Sequence, residues 1–138
     1  MRRTVLFYIV GALLLINPGC SKDKESERFK LLTGHLWQSD ELLVDGVDAS
    51  GAGQALAMFV GDAEFRKDGT GTFGQYTGSW YFSNNETNIT ITSVDLLVPL
   101  TTTIVELTSQ KFRISTTFPI TGDPMAPNTI VIAFKAKP

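Results

Sequence analysis

The sequence predicts an all-β domain of eight antiparallel strands, closed as an up-and-down barrel or folded as two packed sheets. Three observations lead there. Short runs alternate apolar and polar residues with period two, as in 78–83, where Trp80 and Phe82 share one face and Tyr81 takes the other. Turn signals such as Lys67-Asp68-Gly69 and Asn84-Asn85 separate these runs at hairpin spacing. Thirteen of the fifteen threonines that follow residue 20 lie beyond residue 70, and β-branched residues suit a pleated sheet better than a helix.

Taken in order, residues 29–34 (FKLLTG) predict one helical turn closed by glycine, a plug or a lead-in. Residues 35–44 read as the first strand, with Leu36, Trp37, Leu42, Leu43 and Val44 supplying apolar surface, and Asp45-Gly46 breaks it. Residues 49–53 are a small-residue loop, and 54–60 (QALAMFV) fit either a short helix or a buried strand. Strands follow at 63–66, 70–75, 78–83, 87–93, 101–107, 111–118 and 129–137. Between them, 119–128 is a loop with three prolines. The connection 94–100 (VDLLVPL) is unusually apolar: it reads either as an exposed contact patch or as a strand continuing into the core.

Composition narrows the function classes. The 138 residues suffice for one domain, and 12 Lys and Arg against 14 Asp and Glu give no basic excess to suggest nucleic acid. A single cysteine excludes an internal disulfide framework, and one cysteine with one histidine leaves little for a Cys/His metal site. His35 stands beside Trp37 without a cysteine or a serine–acid arrangement near it, so it reads as a surface or hydrogen-bonded histidine. Asp40, Glu41, Glu64, Glu86, Asp95 and Glu106 are scattered singly and select no glycosidase-like pair. Asp45-Gly46-Val47-Asp48 is too short for a helix–loop–helix calcium loop, and the sequons at Asn85 and Asn88 read as hairpin residues. No catalytic residue, metal or cofactor is expected.

The first nineteen residues differ in kind. Arg2 and Arg3 precede an apolar run, 5–16, followed by Asn17-Pro18-Gly19-Cys20, the pattern of an export signal. Twelve helical residues span about 18 Å, short of the roughly 30 Å hydrocarbon core, so a transmembrane anchor is not expected. The Gly19-Cys20 step resembles a bacterial lipobox, with Asn17 standing where leucine is usual. That resemblance implies removal of 1–19 and lipidation of Cys20, with diacylglycerol on the sulfur and an acyl chain such as palmitate on the amine. The other reading is an ordinary signal cut slightly later, with an unmodified thiol. Residues 20–28 read as a solvated, charged tether, and Ser21 after the cysteine points to the outer membrane of the cell envelope. The mixed Lys/acid run also resembles a surface-export signal, which leaves the periplasmic and cell-surface faces both open. Without 1–19 the chain has 119 residues and a formal charge of −4.

Several segments carry a family resemblance. Leu31-Leu32-Thr33-Gly34-His35-Leu36-Trp37-Gln38-Ser39 resembles the opening of bacterial lipocalin-like lipoproteins of the Bacteroidota type. So do residues 65–73 (FRKDGTGTF), 78–82 (GSWYF) and the pair 104–108 and 111–114. The resemblance covers roughly 29–137, although two residues stand between Gly34 and Trp37 where lipocalins proper have one, as Gly-x-Trp. It implies an eight-stranded up-and-down lipocalin-like barrel over 29–138, able to hold a small apolar molecule, without a shared enzymatic activity. By the same resemblance Trp37 plugs the closed barrel end beneath a cation, for which Lys135 or Arg113 is available; the alternative is a plain core tryptophan.

Phe65, Phe73, Trp80, Phe82, Phe112 and Phe134 are the candidate ligand-binding residues, and the same six would equally serve as a filled core. Two function classes follow. One is a membrane-tethered module binding a small apolar or amphipathic ligand. The other is an envelope interaction protein or inhibitor with a solid core, acting through the loops 45–61, 94–100 and 119–128.

Overall fold

A computed structural model of the chain describes residues 25–138. The signal segment, Cys20 and the start of the tether lie outside the described residues. A short helix, α1 (Glu27–Thr33), leads into strands β1 (Leu36–Val44), β2 (Val47–Asp48), β3 (Asp62–Phe65), β4 (Thr70–Phe73) and β5 (Tyr76–Ser83). Strands β6 (Asn88–Ser93), β7 (Leu100–Leu107), β8 (Lys111–Phe118) and β9 (Asn128–Ala136) complete the chain.

All neighbours in the sheet are antiparallel, and β9 pairs with β1, from Trp37 opposite Ala136 to Val44 opposite Ile130. The eight strands β1 and β3–β9 therefore close an up-and-down barrel, which removes the free edges a sandwich would leave. β2 is an addition the sequence reading lacked. Asp45 and Gly46 take left-handed backbone angles (φ 51° and 80°) and fold Val47–Asp48 back on β1 as a two-residue flap. The stretch 54–60 is not a strand; it contains a single 3-10 turn, Ala57–Phe59.

The tether is also shorter than 20–28. Helix α1 begins at Glu27 and Ser26 caps it, accepting from the Phe29 N–H at 3.0 Å while its hydroxyl donates to Glu86 at 2.6 Å. Glu25 pairs with Lys67 at 3.2 Å. Capping and these two contacts fasten 25–28 to the barrel.

The two barrel ends differ. At one end the connections are the tight turns 66–69, 84–87 and 108–110, and α1 lies there. The other end carries 45–61, 94–99 and 119–127, the long connections. Because strands alternate in direction, every long loop falls on one end, together with the two-residue turn 74–75, and α1 with the other short turns on the opposite end.

Core formation follows side-chain parity, with one correction to it. Trp37 and Leu42 are five residues apart, which in a regular strand puts them on opposite faces. A bulge between Ser39 and Glu41 inserts one extra residue and turns both inward, where both are buried. On β5, Trp80 is buried and Tyr81 is 54% exposed, as the alternation predicts. Gly78 keeps β5 close to β6, since a Cβ there would overlap the Thr92 carbonyl.

The closed end is filled by rings. Phe65 meets Phe73, Trp80 and Phe112 at centroid distances of 5.1, 5.7 and 5.5 Å. Phe112 also stacks on Phe134 at 5.7 Å and touches Trp37 at 5.8 Å. The Trp80 indole N–H is shared between the carbonyls of Arg66 and Thr70, pinning the β3–β4 turn. Among the described residues, neither cation expected over Trp37 is there. Lys135 falls between Phe134 and Ala136, so it points out of the barrel, and Arg113 turns outward to pair with Glu41 at 2.8 Å. The ring neighbours of Trp37 are instead His35 and Phe112.

Candidate functional site

The loop-bearing end holds a cavity of about 370 Å³. Its floor is Ile130 and Ile132 of β9, whose inward parity continues that of Phe134. One wall comes from Leu56 and Phe59, which the 3-10 turn folds inward and buries. The opposite wall is the apolar connection 95–100, with Leu96 and Leu100 packed against the core and Leu97 and Val98 exposed at the rim. Phe118 and Ile120, where β8 runs into its loop, close the remaining side. The connection 94–100 does not continue β6 as a strand, which ends at Ser93; it is a loop leading into β7, and its Leu96 and Leu100 pack inward while Val94, Leu97 and Val98 remain exposed.

Two polar groups enter this apolar lining. Tyr76 starts β5 and its ring packs on Phe59 at 4.8 Å. Burial pushes its hydroxyl above the usual tyrosine pKa, and the nearby Asp95 carboxylate adds to the shift. Asp95 is the one charged residue in the lining. Its backbone N–H donates to Ser93 Oγ at 3.3 Å, while its carboxylate takes part in no hydrogen bond or ion pair among the described residues. A cavity of this size and lining, with few polar groups, matches the lower range of small-molecule sites, roughly 300–1,000 Å³.

No family model matches the chain, and no curated protein matches it. The site therefore has to be read from its own geometry.

None of the six aromatic candidates lines this pocket. Phe65, Phe73, Trp80, Phe112 and Phe134 are buried against one another below it, and Phe82 is half-buried beside Trp80 at 5.3 Å. Phe112 and Phe134 also edge a dent of about 60 Å³ next to Glu41 and Arg113. The residues that sequence reasoning left out of the site are aliphatic and come from loops and from strand ends beside them: Leu56, Leu96 and Ile120 from loops, Leu100 from β7, and Ile130 and Ile132 from β9. The signal that pointed to them was the apolar loop 94–100 itself. His35 occupies a structural position, its Nδ1 donating to the Leu31 carbonyl at 2.9 Å. Among the described residues no three His, Cys, Asp or Glu side chains are grouped to hold a metal, and no helix is long and apolar enough to cross a membrane.

Proposed function

We propose that this protein is a lipocalin-like envelope lipoprotein that binds a small apolar or amphipathic ligand at the loop-bearing end of its barrel. The observation that carries the reading is the 370 Å³ apolar pocket between the three long loops. It acts as a binding module without catalysis. The resemblance of residues 31–39 to the lipocalin-like opening supports the family, and the Gly19-Cys20 step supports lipidation of Cys20. In this reading the barrel hangs from the outer membrane by its closed end, because residue 25 is fastened there by the Glu25–Lys67 pair. Five residues reach at most about 18 Å, so the barrel sits close to the lipid and its pocket faces away.

Native mass spectrometry of the protein purified from its own envelope tests the ligand: a co-purifying small molecule is expected, and its absence across repeated mild preparations counts against the reading. The mass of the N-terminal peptide tests the anchor separately, since an unmodified Cys20 thiol in the mature protein defeats lipidation. A second reading, docking of a protein partner through the loops, is favoured by one observation: Val94, Leu97 and Met125 stand almost fully exposed on the same end.

A further inference from the structure

The charges of the molecule are segregated by barrel end. All eight Lys and Arg among the described residues lie in the closed-end half: on α1, in the 66–69 turn, at the start of β8 or at the end of β9 and just beyond. The loops 45–61, 94–99 and 119–127 contain four aspartates and no Lys, Arg or His. Three of those carboxylates are engaged in turns. Asp45 accepts from Asn128 and the Thr129 N–H at 2.7 and 2.8 Å, Asp48 from Ser50 at 2.6 Å, and Asp123 from the Met125 N–H at 2.9 Å. Asp95 alone has no such role, and it alone lines the pocket.

We infer that the pocket selects cations: its ligand is a small amphipathic amine whose apolar body lies on Ile130, Ile132, Leu96 and Leu100 and whose ammonium group meets the Asp95 carboxylate. This inference rests on the pocket being the ligand site. A carboxylate-headed chain of the same length meets an acidic rim with no cation to receive it, so the lining discriminates against fatty acids. The Tyr76 hydroxyl offers a second oxygen for an ammonium proton. After burial, the Asp95 charge is the second cause that raises the Tyr76 pKa, in keeping with the two polar groups lying near each other in the lining.

The test uses the intact protein and three probes with one apolar chain and different heads: octylamine, octan-1-ol and octanoate. Calorimetric titration near neutral pH and low salt is expected to rank octylamine about tenfold or more above octanoate, with the alcohol between them, and added salt is expected to compress the ranking. Asp95→Asn, an isosteric change at an exposed loop residue, is expected to bring the amine and carboxylate affinities together. Should the alcohol bind while the amine binds no better than the carboxylate, cation selection is wrong and the pocket reading stands. A preference that survives Asp95→Asn overturns the role of Asp95. Failure of all three probes to bind overturns the pocket reading itself.

Discussion

The indole N–H of Trp37 donates to the carbonyl oxygen of Leu32 at 3.0 Å, and both side chains are fully buried. Helix ends leave carbonyls without partners, and α1 ends against the closed end of the barrel with Leu32 buried, where water cannot serve all of them. The next residues supply the donors. Gly34 N–H satisfies Lys30, His35 Nδ1 satisfies Leu31, and Trp37 satisfies Leu32. The segment Leu31–Trp37 is thus a capping device that fixes the plug to the first strand.

Trp37→Phe is expected to destabilise the fold by about 3 kcal/mol: an orphaned buried carbonyl costs roughly 1–3 kcal/mol, and lost ring volume adds to it. His35→Ala removes the half-exposed counterpart and is expected to cost about 1 kcal/mol. Urea denaturation of both variants checks the order; equal losses would contradict the assignment of the buried bond to Trp37.

Gly78→Ala tests the close approach of β5 to β6. The added methyl would overlap the Thr92 carbonyl oxygen and carbon, which are ladder backbone and cannot swing aside. A cost of about 3 kcal/mol is expected, at the upper end of overpacking effects. Gly51→Ala makes the control, because its nearest neighbour is the flexible end of Gln54 and its change is expected to stay within about 0.5 kcal/mol. Thermal unfolding of the pair reads the difference.

Most of the barrel was legible because parity and turn chemistry are local. Trp80 against Tyr81, Ile89 with Ile91 and the Asp68-Gly69 turn each follow from neighbours within a few residues. The bulge at Ser39/Glu41 was not legible, since an extra residue costs the strand nothing that sequence spacing reveals until β9 sets the register. The pocket was missed for a related reason. The large rings fit a cavity or a filled core, and they fill the core at the closed end, while the space opens between aliphatic side chains of the long loops and the strand ends beside them. Which loops share an end depends on counting strands, so the acidic, lysine-free end emerges only from topology.

Asp45 makes the open end sensitive to acid. Its pKa is lowered first by the Asn128 side-chain bond and then by the Thr129 N–H. A carboxylate with a depressed folded pKa adds stability above its unfolded pKa and loses it as pH falls through the folded one. Asp45→Asn is therefore expected to lower the thermal midpoint near neutral pH, with the gap to the parent protein closing as pH drops toward about 2. A gap that stays constant across that range would mean that backbone conformation at φ 51°, rather than charge, sets the effect.

Leu97 and Val94 separate the two functional readings. Both side chains are almost fully exposed on one loop, but Leu97 lines the pocket and Val94 does not. Exposed substitutions change stability by less than about 0.5 kcal/mol, so Leu97→Asp and Val94→Asp are both expected to fold normally. For a ligand module, Leu97→Asp weakens binding of a neutral apolar probe such as octan-1-ol, by up to about tenfold for the loss of one side chain's contact with the probe, and Val94→Asp leaves it unchanged. For a docking protein, both changes weaken partner capture alike, because a protein surface would cover the whole exposed face of the loop. Titration of the two variants with the alcohol decides between them: a loss confined to Leu97→Asp supports the pocket, and no loss in either variant removes Leu97 from the site.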